Sequence, residues 1–176
     1  MQLLICPGYH SHDLTHSFLG SLLGEITPER LWIRPIWTSP GSLSWLFTSP
    51  QGPQLERRLQ IIAFSAGVVA AYPLMLAWQG MGGTACLIAV DGWGMPLWGD
   101  LAIYRLSHDR WTHDTTYFPL ATESRGYFYC HPGIDHLSLW HSPQLSRGMG
   151  SIGEAPRTMT ALDFICAVLR TQVDVG

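Results

Sequence analysis

The chain has 176 residues, of which 47% are hydrophobic and 13% charged, and its formal net charge is −3. This length fits one domain over residues 1–176, and the composition is typical of a globular protein with ample core material. The charge balance offers no basic surface for a nucleic acid, so we expect no such partner. The chain contains no lysine, which excludes Schiff-base chemistry and a Ser-Lys dyad.

Cysteine usage and hydropathy indicate where the protein resides. The four cysteines are far apart and form no CxxC pair, so we expect free, buried thiols. No apolar stretch has the length of a membrane span, and residues 1–6 lack the basic start of a signal peptide. These features predict a cytoplasmic protein, and they leave its oligomeric state open.

Short apolar runs alternate along the chain with helical and loop segments. The predicted strands cover residues 3–6, 31–36, 61–64, 84–90, 101–106 and 126–130. Helices are predicted from about residue 12 to 23, over 68–78 and over 160–171, with at most a short one near 42–47. Continuous apolar strands indicate a sheet that is buried on both faces. The pattern therefore predicts an α/β fold with a mostly parallel sheet of about six strands and helices on both faces, a three-layer sandwich.

The third predicted strand runs directly into Ala63-Phe64-Ser65-Ala66-Gly67, and a long apolar helix follows. A nucleophile elbow needs this strand-turn-helix context, with small residues two positions before and after the serine. Ala63 and Gly67 meet that requirement. The amide of Ala66, at the start of the helix, would then face a developing oxyanion. The alternative is that Ser65 merely caps a buried helix.

A serine that transfers an acyl group needs an imidazole to take its proton and a carboxylate to orient that imidazole. His136 lies in the loop after the sixth predicted strand and is the preferred base, with His131 as the alternative. The preferred acid is Asp109, which follows the fifth strand. Asp91, at the end of the fourth strand, is the main alternative, and Asp114 is a weaker third.

The order of serine, acid and histidine at successive strand ends resembles that of the α/β-hydrolase superfamily, in particular its compact, lidless serine hydrolases. The resemblance covers nearly the whole chain, and it is carried by residues 6–10, Ala63 to Gly67, Asp109 and His136. It implies a reduced α/β-hydrolase fold without the two amino-terminal strands. It also implies that the loop after the first strand supplies a second oxyanion amide, from Tyr9 or alternatively from His10. Pro7-Gly8 stands there in place of the usual His-Gly.

The segment between the fourth and fifth strands bears on substrate binding. Residues 92–100 are too few to form the cap domain that larger relatives insert here, so we expect an open site. The candidates for an acyl or aromatic pocket are Trp93, Met95, Leu97 and Trp98; otherwise these side chains cover the edge of the sheet. An open site suits a small-molecule acyl substrate or one linked to a bulky carrier.

These features predict a serine hydrolase that cleaves an ester or thioester through an acyl-enzyme on Ser65, without a cofactor or metal. One alternative is a hydrolase-like fold that binds a ligand but does not turn over. Another is a metal-dependent hydrolase, because His10, His12 and His16 follow the first strand as in some metallohydrolases. Their spacing departs from the metallo-β-lactamase pattern.

Overall fold

The computed structural model describes residues 1–35, 37–39, 42–48, 52–92, 94–98, 101–116 and 124–171. The strands in this part of the chain are β1 Gln2–Cys6, β2 Arg30–Ile33, β3 Leu59–Phe64, β4 Ala85–Val90, β5 Ala102–Ser107, β6 Gly126–Cys130, β7 Arg147–Ser151 and β8 Arg157–Thr160. The helices are α1 His12–Leu23, α2 Ser44–Phe47, α3 Ala66–Gly80, α4 Arg110–Thr116, α5 His136–His141 and α6 Ala161–Thr171.

All of these strands belong to one sheet, in the order β2-β1-β3-β4-β5-β6-β7-β8. The strands from β2 to β6 pair in parallel, whereas β7 and β8 are antiparallel additions at one edge. The predicted class, an α/β fold with a mostly parallel sheet, is therefore confirmed. The predicted count of about six strands was too low.

The two unpredicted strands lack the apolar runs that identify the other six. In β7, Gly148 and Gly150 flank Met149, so the segment shows no continuous hydrophobic pattern. Gly148 is needed because a Cβ there would lie 2.0 Å from the carbonyl oxygen of Tyr129 on the adjacent strand. Close pairing with β6, rather than a buried side-chain pattern, is what defines this strand.

Helices cover both faces of the sheet, as predicted. Successive residues of β3 point to opposite sides: Ile62 and Phe64 pack into one core cluster, and Ile61 and Ala63 into the other. The first cluster also takes side chains from α1, α5 and α6, and the second takes them from α2 and α3. This three-layer arrangement brings the carboxyl ends of β1, β3, β4 and β5 to the same edge of the sheet.

The sequence predicted free, buried cysteines. Cys6, Cys86, Cys130 and Cys166 are all free and buried, as predicted. Burial raises the pKa of the Cys6 thiol to about 12, so it is an inert core side chain.

Among the described helices, none combines the length and the apolar character needed to cross a lipid bilayer.

Candidate active site

Ser65 occupies the turn between β3 and α3 with a strained backbone. Its φ of 51° and ψ of −123° lie outside the regions that residues other than glycine ordinarily adopt. Two hydrogen bonds fix this conformation: Ser65 N donates to Val90 O at 2.8 Å, and Val68 N donates to Ser65 O at 3.0 Å. Such a conformation persists only where the surrounding structure enforces it, and strained residues of this kind cluster at functional sites.

Close approach of the β1 loop explains the small residues around Ser65. A Cβ on Gly67 would lie 2.0 Å from the carbonyl oxygen of Cys6. A Cβ on Gly8 would lie 2.9 Å from the carbonyl oxygen of Phe64 and 3.1 Å from Cβ of Ser65. The loop after β1 therefore packs directly on the turn, as a nucleophile elbow requires.

Asp91 and His136 meet at the same edge of the sheet. Asp91 follows β4, and its side chain is only 1% exposed. Its Oδ2 accepts a hydrogen bond from Nδ1 of His136 at 2.7 Å. His136 is the first residue of α5, and Asp135 caps that helix by accepting from the amides of Leu137 and Ser138. The cap therefore fixes the start of α5, and with it the position of the imidazole.

His108 is a second imidazole on the same carboxylate, and the sequence did not single it out. Its backbone amide donates to Oδ1 of Asp91 at 2.9 Å, and its Nδ1 lies 3.0 Å from Oδ2. The Asp91 carboxylate thus receives three hydrogen bonds, two of them from side chains. In the sequence, His108 is marked only by its position after the fifth predicted strand, directly before Asp109, the residue preferred as the acid.

The ionisation of this cluster follows from its contacts. Burial alone would raise the pKa of Asp91, but the hydrogen bonds from His108 and His136 outweigh it and lower that pKa below its ordinary value. The hydrogen bond to Asp91 raises the pKa of His108, against the opposing effect of its partial burial. Asp91 is therefore a carboxylate at neutral pH and is suited to hold an imidazole as a hydrogen-bond donor.

Asp109, the predicted acid, contacts the first turn of α4 and lies 3.6 Å from Nε2 of His108. Its Oδ1 accepts from the amide of Thr112 at 2.7 Å, so it caps the first turn of α4. Within the described part of the chain it makes no hydrogen bond with His136, and its side chain is 35% exposed. Asp114, the weaker candidate, pairs with Arg110 at 3.4 Å on the exposed side of the same helix. The carboxylate that contacts His136 is the alternative, Asp91.

Of the two candidate histidines, only His136 reaches the buried carboxylate. His131 is exposed, and its backbone amide bonds to Arg147 O at 3.1 Å. The His136 ring stacks on Phe64, the residue before Ser65, with ring centroids 4.6 Å apart. The described residues include no hydrogen bond between Ser65 and His136. Catalytic hydrogen bonds of this kind are often long before a substrate is bound.

The predicted oxyanion residues share one cavity. Tyr9 and Ala66 both line a cavity of about 230 Å³ beside the elbow, together with Gly8 and Arg34. Ala66 begins α3, where the first amides have no partner within the helix and carry the positive end of its dipole. His10, the alternative to Tyr9, packs its ring edge-on against Phe64 instead, at 5.6 Å between centroids.

The residues predicted to line a substrate pocket have other positions. Leu97 is fully buried in the core between the sheet and α3, and Met95 packs against that core. Trp98 is 51% exposed, and its carbonyl accepts from the Tyr72 hydroxyl at 2.8 Å. Trp93 lies outside the described residues. Met95 and Leu97 therefore belong to the core between α3 and the sheet, and the cavity beside the serine turn is formed by other residues.

The donor atoms of the candidate metal ligands are not brought together. His10, His12 and His16 line one cavity of about 190 Å³. Among the residues that the structure describes, however, the donor atoms that lie within 4.8 Å of one another belong to Asp91, His108 and His136. Both imidazoles turn Nδ1 toward the same Asp91 oxygen at hydrogen-bonding distance. A nitrogen that donates a proton has no lone pair for a metal. The contacts of this cluster are those of a hydrogen-bond network.

No protein-family model matches the chain, and no curated protein matches it significantly. A function must therefore be inferred from the fold and from the chemistry that the side chains at the carboxyl edge of the sheet can perform.

Proposed function

We propose that the protein is a serine hydrolase with a reduced α/β-hydrolase fold, which cleaves an ester or thioester through an acyl-enzyme on Ser65. The observation that carries this proposal is the pairing of a strained serine turn with a buried carboxylate–imidazole pair at one sheet edge. His136 is the base, and Asp91 is the acid in place of Asp109. Ser65, Asp91 and His136 follow one another along the chain in the order typical of this fold.

The hydrogen bond between His136 and Asp91 supports the role of the base. In the neutral imidazole whose Nδ1 donates to Asp91, the proton is on Nδ1, so Nε2 carries the lone pair that can take a proton from the Ser65 hydroxyl. The serine oxygen then attacks the carbonyl carbon, and the amides of Ala66 and Tyr9 stabilise the oxyanion. Asp91 offsets the charge of the imidazolium that forms.

Collapse of this tetrahedral intermediate completes the first half of the reaction. The bond to the leaving alcohol or thiol breaks, the leaving group takes the proton from Nε2 of His136, and the acyl group stays on Ser65. His136 then removes a proton from water, which attacks the acyl-enzyme, and the carboxylic acid and free serine are regenerated. No cofactor is required by these steps.

Two observations bear on the substrate: the exposure of the proposed oxyanion hole indicates access from solvent, and the free cysteines favour a cytoplasmic location. Ala66 and Tyr9 are both exposed, so the proposed oxyanion hole is accessible to an acyl group on a small molecule or a carrier. Four free, buried cysteines are consistent with a reducing compartment.

Covalent labelling tests the nucleophile. A fluorophosphonate probe reacts with activated serines, so we expect it to label the wild type and to leave Ser65→Ala unlabelled. Ser21→Ala is the matched control, since Ser21 lies on α1 and bonds to Gln144 away from the site. Equal labelling of wild type and Ser65→Ala would refute the assignment.

Turnover separates the proposal from its alternatives. The wild type should hydrolyse p-nitrophenyl and acyl-thioester substrates of some chain length, and Ser65→Ala should not. Labelling without turnover on any substrate would indicate a silent binding protein. Activity that survives in Ser65→Ala and disappears with chelators would indicate a metal-dependent hydrolase.

A further inference from the structure

Arg34 is a buried cation next to the proposed oxyanion hole. It follows β2, is only 6% exposed, and its backbone amide donates to Ile5 O at 2.8 Å. One guanidinium nitrogen donates to the carbonyl of Thr38. The Nε atom is buried and has no hydrogen-bond partner in the described part of the chain.

The described surroundings of Arg34 offer its charge no acidic partner. Among the described residues, no carboxylate lies within ion-pair distance of its guanidinium. Arginine is almost never buried without an acidic partner, because removing an unpaired charge from water is costly. A fold that keeps this arrangement leaves a site at which an incoming anion is favoured.

Arg34 borders two neighbouring cavities. It lines the cavity of about 230 Å³ that Ala66 and Tyr9 also line. It also lines a cavity of about 190 Å³, which shares Pro7 and Gly8 with the first. An anion in either cavity would therefore lie close to this side chain, and the first cavity adjoins the proposed oxyanion hole.

We propose that Arg34 binds an anionic group on the acyl part of the substrate, so that the preferred substrate is an ester or thioester whose acyl chain ends in a carboxylate or phosphate-like group. This inference rests on the proposed serine hydrolase function. The planar fork of arginine donors matches the oxygens of both anions. At roughly 30 Å³ for each water-sized group, a 230 Å³ cavity has room for an acyl chain of a few carbons together with its anionic end.

Three p-nitrophenyl esters that differ in the terminal group of the acyl chain test the specificity for an anionic end. The substrates are p-nitrophenyl valerate and mono-p-nitrophenyl glutarate, with the p-nitrophenyl ester of 4-phosphonobutyrate as the phosphate-like arm. For the wild type, kcat/KM should be roughly tenfold or more higher for at least one charged ester than for valerate, as expected for a charge-assisted hydrogen bond. The charged ester with the higher kcat/KM shows whether the site prefers a carboxylate or a phosphate-like group.

Substitution of Arg34 should remove this preference. In Arg34→Gln the ratio of charged to neutral kcat/KM should fall to about one, mainly through a higher KM for the charged ester, whereas Arg34→Lys should keep part of it. Arg170→Gln is the control, because Arg170 is exposed on α6, and it should keep the wild-type ratio. An unchanged ratio in Arg34→Gln, or an equal loss on both esters, would overturn the proposal.

Binding to an inactive variant separates this inference from the proposed function. Ser65→Ala should bind glutarate or inorganic phosphate, measured by titration calorimetry, and the added Arg34→Gln substitution should abolish that binding while the melting temperature shows that the protein remains folded. Binding of neither anion would overturn the anion site. Failure of the wild type to hydrolyse any ester, with anion binding intact, would instead refute the hydrolase.

Discussion

Asp91 and His136 are joined by a hydrogen bond of 2.7 Å, although 45 residues separate them in the chain. The strand order places this aspartate, rather than Asp109, next to the serine turn. Asp91 follows β4, which pairs directly with β3, and β3 leads into Ser65. Asp109 follows β5, one strand further from the serine, where it caps a helix. The carboxylate that serves His136 is therefore also the one adjacent to the proposed nucleophile.

Replacing the two aspartates should have opposite consequences. Asp91→Asn leaves the shape intact but no longer holds His136 in the required tautomer, so we expect kcat to fall by about 10³–10⁴-fold. Asp109→Asn should change kcat by less than about threefold, since asparagine also caps helices well. Steady-state kinetics on a p-nitrophenyl ester measures both. A large loss in Asp109→Asn with little effect in Asp91→Asn would reverse the assignment.

The same comparison applies to the two histidines. His136→Asn removes the proposed base, so hydrolysis and labelling of Ser65 by a fluorophosphonate should both be lost. His131→Asn is the control, because that side chain is exposed and its backbone contact to Arg147 does not require the ring. Loss of labelling in His131→Asn with His136→Asn unaffected would show that the base is the other histidine.

The elements that position the candidate site could be predicted from local sequence, and the contacts between its side chains depended on tertiary structure. Apolar runs identified the parallel strands, and a serine between a strand and a helix identified the turn at Ser65. The choice between Asp91 and Asp109 could not be made in this way, because both follow predicted strands and only the tertiary arrangement decides which one reaches His136. The contribution of His108 was hidden for the same reason.

Gly67 offers a test of the elbow through stability. Its Cβ in Gly67→Ala would lie 2.0 Å from the carbonyl oxygen of Cys6, so β1 or α3 would have to shift. We expect the free energy of unfolding to fall by about 1–3 kcal/mol or more, measured by urea denaturation. Gly20→Ala is the matched control, because nothing lies within 4 Å of a Cβ there and α1 should gain about 0.5–1 kcal/mol. Equal effects in the two variants would contradict the close packing of the elbow.

His108 should make the stability of the protein depend on pH. Its pKa is raised in the folded state, chiefly by the hydrogen bond to Asp91, so folding favours its protonated form. This contribution is fully present below the unfolded pKa of about 6.5 and is lost as the pH rises through the higher folded value. The wild type should therefore exceed His108→Gln in free energy of unfolding by more at pH 6 than at pH 9.

The carboxylate partner provides the control for this pH effect. At pH 6 and above Asp91 is ionised, because its own pKa is lowered, so the change over this range reports on His108. In an Asp91→Asn background the effect of the His108→Gln substitution should change less with pH, since the hydrogen bond to Asp91 is the largest cause of the raised pKa and only the weaker influence of Asp109 and Asp135 is left. Urea denaturation of the four proteins at pH 6 and pH 9 measures the coupling. A difference between wild type and His108→Gln that does not change with pH would show that His108 and Asp91 are not linked as the hydrogen bonds indicate.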